Sequence, residues 1–232
     1  MKNIFGTDLD DCLLRGDVTE GSANFVGMIE LLYSKTGLDT PENLRMVPSP
    51  LYPTLEVFLS VFYGQLALNN TNGFLLPLDA FQDQNEKVSY WAKQQWKDAF
   101  QYYLNAPIVD LLKQYSFDND IYIISGSPSI YIEPIQEYLP FLVNILSVEQ
   151  GEIITTQIGK TNRLKKIDPT LEQVTGYIGE TWGNDGPLLS TLANTNGCQN
   201  LYFVCHNDVQ CDKNARLNLC RYRITKLKLP FY

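Results

Sequence analysis

Asn3-Ile4-Phe5-Gly6-Thr7-Asp8-Leu9-Asp10-Asp11-Cys12-Leu13-Leu14 opens the chain with an apolar run that ends abruptly in carboxylates. A short apolar run closed by turn-forming residues reads as a buried strand, and strands buried on both faces belong to parallel sheets. In an open parallel sheet, ligands bind beyond the carboxyl ends of the strands, which is where Asp8 and Asp10 fall. Two carboxylates two residues apart can divide the work of group transfer. One attacks or holds a metal while the other protonates a leaving group. Taken alone, the same stretch also reads as an acidic turn that caps the next helix.

Working outward, similar runs rich in β-branched and aromatic residues recur between amphipathic stretches, the alternation of an α/β domain built on a parallel sheet. Strands are predicted at roughly 3–8, 120–125, 142–148, 175–179 and 200–205, with a last one at roughly 221–226. Turn composition at 148–152 suggests a second extended leg from Ile153 to Ile158. More than a hundred residues separate the first two strands, far beyond the dozen or so that a crossover helix needs. An inserted domain is expected there. Pro41, Pro48, Pro50 and Pro53 punctuate its entry, and 54–68 and 86–104 carry helical spacing of apolar and aromatic residues. Residues 16–105 are therefore assigned to a helical insert, and 1–15 with 106–232 to the core. The stripe Trp91, Trp96, Phe100 and Tyr103 reads as packing rather than as a ligand cage.

Composition narrows the chemistry. The 232 residues carry a net charge of −8, which disfavours a nucleic-acid backbone as partner. No apolar run approaches the roughly 18 residues of a membrane span, and no signal-peptide core precedes Asp8. Five cysteines without a Cys-x-x-Cys pair point to a reducing cytoplasm. The single histidine, His206, lies beside Cys205, with Cys198 and Cys211 near, but these gaps match no zinc pattern. Carboxylates, hydroxyls and lysine are left to do the work.

Three more strand exits carry such groups. Ile123-Ile124-Ser125-Gly126-Ser127-Pro128 leads into an expected helix over 129–138, and a hydroxyl with free N–H groups at a helix start can cradle an anion. It is also ordinary turn composition. Gly159-Lys160-Thr161-Asn162-Arg163 opens a short basic helix, where Lys160 alone reads as a surface charge. Gly179-Glu180-Thr181-Trp182-Gly183-Asn184-Asp185 offers oxygen ligands suited to Mg²⁺, or else a polar loop in which Asp185 caps a helix over 186–193.

With these four groups in this order, the sequence resembles the haloacid dehalogenase-like (HAD) hydrolase superfamily, in particular its phosphoserine-phosphatase-like branch. In that family a strand ends in Asp-x-Asp-x-Thr/Val, a later strand in Ser or Thr, a Lys opens a helix, and a Gly-Asp loop with a further Asp follows. The resemblance covers most of the chain. It implies a Rossmann-like parallel sheet sandwiched by helices, with a helical cap inserted after the first strand. It further implies Asp8 as nucleophile, Asp10 as acid and base, Ser125 and Gly126 at the phosphate, and Lys160 as the neutralising cation. Asp8, Asp10, Glu180 and Asp185 are the implied ligands of Mg²⁺, and a small phosphorylated metabolite is the implied partner. Asp10 argues for phosphate over carbon–halogen chemistry, which needs neither a second Asp nor a metal. Cys12 stands at the Thr/Val position, compatible with a small packed side chain, and Glu180 stands where Asp is usual. Those departures motivate a rival reading, a HAD-fold binding protein that has lost turnover.

Overall fold

The computed structural model describes residues 2–15, 89, 92–93, 96–97, 100–148, 158–195, 198–205 and 213–228. Six strands, β1 (Asn3–Thr7), β2 (Asn119–Pro128), β3 (Val143–Val148), β4 (Val174–Gly179), β5 (Asn200–Cys205) and β6 (Thr225–Lys228), form one sheet in the order β3-β2-β1-β4-β5-β6. Every neighbouring pair is parallel. The order reverses between β1 and β4, so the chain leaves these two strands toward opposite sides and opens a crevice at their carboxyl ends. The fold is thus the α/β architecture expected, with β1 at the centre.

Alternation along the strands divides the core into two layers. Phe5, Ile123 and Ile178 face one cluster, which also holds Leu9, Trp96, Ile108 and Leu112. Ile4, Ile124 and Tyr177 face the other, with Leu164, Leu188 and Leu192. Helix α1 (Ala106–Tyr115) begins with proline in its first turn, where the missing N–H costs nothing, and buries Ile108 and Leu112 four residues apart. Its Tyr115 stacks on Phe5 with ring centroids 4.0 Å apart. Helix α3 (Ile158–Ile167) packs beside α4 (Trp182–Ala193).

Several boundaries differ from expectation, each for a local reason. The expected helix over 129–138 is a single α turn, α2 (Ser129–Ile132), followed by a 3₁₀ stretch from Glu133 to Tyr138, because Pro134 has no N–H for the α ladder. Helix α4 starts at Trp182, with Thr181 in the capping position, so Asp185 lies inside the first turn and does not precede the helix. The last strand is displaced to Thr225–Lys228 because α5 (Lys213–Tyr222) runs through the start of the expected segment and ends at Arg223, whose φ of 56° is left-handed. Cys205 is disulfide-bonded, whereas Cys12, Cys198 and Cys220 are free. Proximity in space decides such pairing and sequence spacing does not, so the reducing compartment inferred from spacing loses that support. No helix among the described residues is long and apolar enough to cross a membrane. The expected leg 153–158 lies outside the described residues except for Ile158, which opens α3, as do the helix over 54–68, most of 86–104, and His206.

The chain just after the first turn meets the chain just before α1. Leu14 and Leu104 form an isolated antiparallel bridge, flanked by Arg15 N–H to the Tyr103 carbonyl and Asn105 N–H to the Leu13 carbonyl, both at 2.9 Å. Trp96 is fully buried and donates from Nε1 to the Tyr131 carbonyl at 2.7 Å, joining the same cluster as Phe5.

Sheet packing tolerates no side chain at Gly176, where a Cβ would lie 2.3 Å from Phe5 Cε2 and 2.6 Å from the Asn200 carbonyl oxygen. Gly176→Ala is expected to destabilise the fold by about 1–3 kcal/mol, read as a lower urea midpoint at unchanged m. Gly183→Ala, whose Cβ would meet nothing closer than 3.9 Å, should stay within about 0.5 kcal/mol of the parent. Equal losses would refute this close approach.

Candidate active site

Asp8 follows β1 and caps a single turn from Leu9 to Leu13. Its Oδ1 accepts from Leu9 N–H at 2.8 Å, and its own N–H continues the ladder to the Ile178 carbonyl at 2.8 Å. Lys160, in the first turn of α3, brings Nζ to 2.6 Å from Asp8 Oδ1 and 2.8 Å from Asp185 Oδ1. At 6% exposure Lys160 is not the solvated surface charge it resembles in isolation. Oδ1 of Asp8 is thus fixed from two directions, whereas no donor among the described residues reaches Oδ2.

Asp185 is fully buried, and both of its oxygens are saturated. Oδ1 accepts from Lys160 and from the Tyr177 hydroxyl at 2.7 Å; Oδ2 accepts from Glu180 N–H at 2.9 Å and Thr181 N–H at 3.3 Å. The carboxylate caps α4 from within its first turn, much as a capping-box side chain reaches back to orphan N–H groups. Gly179 permits this, since a Cβ there would lie 2.7 Å from Asp185 Cβ.

Burial sets the protonation of the group. It pushes Asp8 well above the usual carboxylate range, reinforced by the charge of Asp185 and opposed by Lys160. Asp185 feels the same desolvation, but the charge and hydrogen bond of Lys160, with Glu180 N–H and the Tyr177 hydroxyl, outweigh it and hold this carboxyl below its ordinary value. Desolvation pulls Lys160 down, yet Asp8 and Asp185 raise it further, so the ammonium stays charged. Burial and both carboxylates push the Tyr177 hydroxyl up, which keeps it a neutral donor.

Asp10 is half-buried and turns toward the end of β2. Its Oδ2 accepts from the Ser127 hydroxyl at 2.7 Å and the Ser125 hydroxyl at 3.3 Å. Ser127 N–H donates in turn to Ser125 Oγ at 3.0 Å, across Gly126. Asp11 takes a left-handed conformation, φ 55°, which returns Cys12 to the core. There Cys12 is fully buried, 3.7 Å from Thr7 Oγ1 and 3.9 Å from the Ile178 carbonyl, and burial pushes its thiol up. It is the small packed side chain expected. Glu180 is half-buried, and the Thr181 hydroxyl donates to its Oε2.

The structure therefore unites Asp8, Lys160 and Asp185 in one buried group, with Asp10 and Ser125 in a second. Ser127 and Tyr177 join them without having been singled out in the sequence. Ser127 sat in view within Ser-Gly-Ser-Pro as a second hydroxyl two residues on, the same side of an extended strand as Ser125. Tyr177 carried no signal, because an aromatic residue inside a strand reads as core.

Among the described residues no three His, Cys, Asp or Glu side chains converge as a preformed metal cluster. Mg²⁺ commonly takes only one or two carboxylates and keeps several waters, so the unengaged Oδ2 of Asp8 fits such an ion. Asp185, with four donors on two oxygens, has no lone pair left to offer it.

No protein-family model matches the chain, and no curated protein matches it. Solved structures of HAD hydrolases and phosphoserine phosphatases do match over nearly its full length at low identity. A protein of unknown function from Bordetella pertussis Tohama I shares the fold at a TM-score of 0.65, with 14% identity over 99% of this chain and 100% of its own. A phosphoserine phosphohydrolase-like protein from Francisella tularensis has a TM-score of 0.49 and 14% identity over 99% of this chain and 96% of its own. A candidate HAD-hydrolase from Bacillus subtilis bound to magnesium has a TM-score of 0.41 and 14% identity over 89% of this chain and 87% of its own. The shared feature is the fold; no residue role is drawn from it.

Lys160→Met, studied in chelator, leaves two carboxylates in a dry site without a cation. It should cost about 3–5 kcal/mol at neutral pH. Without the ammonium both carboxyls have folded-state pKa values above their unfolded ones, so the folded state takes up protons first and stability rises as pH falls from about 7 to 4. In the parent, Asp185 works in the other direction: lowered by Lys160, it contributes stability above the ordinary carboxylate range that is lost on acidification. In the parent the raised Asp8 and the lowered Asp185 act in opposite directions, so the variant should gain more on acidification than the parent does; denaturation of both proteins across this range checks the difference, and parallel profiles would show that Lys160 does not neutralise the pair.

Proposed function

We propose that the chain is an Mg²⁺-dependent phosphatase that hydrolyses a small phosphomonoester through an aspartyl-phosphate on Asp8. The observation that carries this reading is the asymmetry of Asp8: Oδ1 is clamped by Leu9 N–H and Lys160, and no donor among the described residues reaches Oδ2. A fixed carboxylate with one unengaged oxygen is a preorganised nucleophile. Phosphoryl transfer needs positioning and charge neutralisation above all, and Lys160 with the Ser125 hydroxyl and Gly126 N–H supply donors for the equatorial oxygens. Asp10, one turn from Asp8, gives its proton to the departing oxygen and later takes one from the attacking water.

Asp8, Asp10 and Glu180 would hold the ion, and Asp185 supports it indirectly by fixing Lys160 and the loop. The bound cation would offset charge on the phosphate and on Asp8. The fold supports a hydrolase and a phosphorylated substrate, and the net charge of −8 supports a small ester over a polymer. One observation favours the rival reading of a binding protein without turnover: the Glu180 carboxylate is occupied by its neighbour Thr181.

Asp8→Asn keeps the shape and removes the nucleophile, so kcat/KM toward an aryl phosphate should fall by well over about a hundredfold in protein shown to be folded by circular dichroism. Activity within about tenfold of the parent would exclude the covalent route. Titration calorimetry with Mg²⁺ should show weaker binding for Glu180→Gln than for Asn184→Ala. Equal affinities would remove Glu180 from the metal site.

A further inference from the structure

We infer that Asn105 is a positioning residue for the nucleophile: from outside the turn that follows β1 it fastens two carbonyls of that turn, and so holds Asp8 and Asp10 at the geometry that phosphoryl transfer needs. The inference rests on the phosphatase reading above. Asp8 caps a single turn from Leu9 to Leu13, within which Asp10 and the left-handed Asp11 both depart from helical geometry. A turn so short has no following turn to supply N–H groups to its last carbonyls. Asn105 supplies them. Its side chain donates from Nδ2 to the Cys12 carbonyl at 3.0 Å, and its backbone N–H donates to the Leu13 carbonyl at 2.9 Å. Two donors of one residue thus hold two successive carbonyls, across a separation of 93 residues between Cys12 and Asn105.

The side chain forgoes a more local task to do this. Asn105 stands at the N-cap of α1, where an asparagine oxygen ordinarily accepts from an N–H of the first turn. Here it makes no capping bond, and Pro107 removes one of the N–H groups it could have taken. The residue is fully buried, and its Oδ1 meets no hydrogen-bond donor among the described residues. A side chain that served α1 alone would turn that oxygen to the helix. Departures from a local rule of this kind gather where function sets the geometry. The donor is also firmly mounted. The Asn105 carbonyl accepts from Ile108 N–H and Val109 N–H, both at 2.9 Å, and α1 buries Ile108 and Leu112 in the core. By contrast Ser125, Gly126 and Lys160, the donors for the phosphate, come from β2 and α3. Releasing the turn should therefore displace Asp8 and Asp10 while the phosphate keeps its own donors, and a displacement of about 1 Å can cost about a hundredfold in rate.

The test uses Asn105→Leu, close in shape but without a donor, in the full chain with Mg²⁺ and 4-nitrophenyl phosphate. Its kcat should fall at least about tenfold, while the inhibition constant of inorganic phosphate stays within about threefold of the parent. Amide exchange reads the turn directly. Leu14 N–H, which closes the turn on the Leu9 carbonyl, should exchange at least about tenfold faster than in the parent, beyond any change shared by the amides of β2 and β4. Ile108→Val is the structural control, since it loosens the same helix and leaves every donor in place. It should keep kcat within about twofold and quicken Leu14 no more than the strands. Asn105→Ser supplies a second variant: its hydroxyl is too short to reach the Cys12 carbonyl but free to cap α1, so it should lie nearer the parent in urea midpoint and show the same kinetic split. A kcat loss in both Asn105 variants no greater than in Ile108→Val, or a Leu14 amide that only follows the strands, would overturn the inference while leaving the phosphatase reading intact. A parent without turnover would overturn the phosphatase reading and the inference with it.

Discussion

The Lys160 ammonium is the cation on which the rest of the site depends. It is buried between two carboxylates, and the three residues come from three separate places: the exit of β1, the first turn of α3 and the first turn of α4. Removing three ions from water is expensive, and the cost is offset only when each has partners with good geometry. Asp185 meets that condition with four donors. Lys160 also sits at a helix N-terminus, an end whose dipole disfavours a cation by roughly 0.3–1 kcal/mol, and its contacts with Asp8 and Asp185 offset that cost. Those contacts tie the exit of β1 to α3 and α4.

Small residues make the arrangement sterically possible. A Cβ on Gly6 would lie 2.8 Å from Tyr177 Cδ2, so the bare backbone of β1 is what lets the tyrosine ring lie beside it and carry its hydroxyl under Asp185. The turn after β1 solves a different problem. Within five residues it must present Asp8 and Asp10 to the crevice and return Cys12, Leu13 and Leu14 to the core. The left-handed Asp11 accomplishes the reversal at a cost of about 1 kcal/mol, acceptable for an aspartate. Leu14 N–H to the Leu9 carbonyl at 2.8 Å closes the turn, and Asn105 Nδ2 to the Cys12 carbonyl at 3.0 Å ties it to the start of α1. The residue that precedes α1 is therefore bonded directly to the turn that carries the candidate nucleophile.

What the sequence made legible follows from which signals are local. The strands were visible because full burial on both faces demands continuous apolar runs, and Asp8, Asp10, Ser125 and Lys160 were visible because each stands where such a run ends or a helix begins. Helix boundaries were less so: Asp185 has the composition of a cap, and only the backbone path reveals that it caps from inside the turn. The burial of Lys160 is a tertiary fact, invisible in a stretch as basic as 160–166. Tyr177 was hidden because its apolar body satisfies the strand pattern and its hydroxyl matters only through Gly6, more than 170 residues away in sequence. Ser127 was hidden for the opposite reason, as a turn-forming residue in a turn-like motif. The Cys205 disulfide was beyond reach of a spacing argument altogether.

Charge also decides what the site can accept. Lys160 neutralises one of the two carboxylates it touches, and the residual negative charge is what, together with burial, drives Asp8 upward. Asp10 adds to it from the next turn, as the rise it causes in Asp8 shows. A phosphate dianion approaching Asp8 Oδ2 would therefore meet net repulsion, worth several kcal/mol at contact distance even with an effective dielectric constant of about 20. Lys160 and Ser125 offset it only in part, since Ser125 is neutral and the charge of Lys160 is shared with Asp8 and Asp185. Under the proposed reading, a divalent cation held beside Asp8 would offset this negative charge and favour the ionised form of the carboxyl.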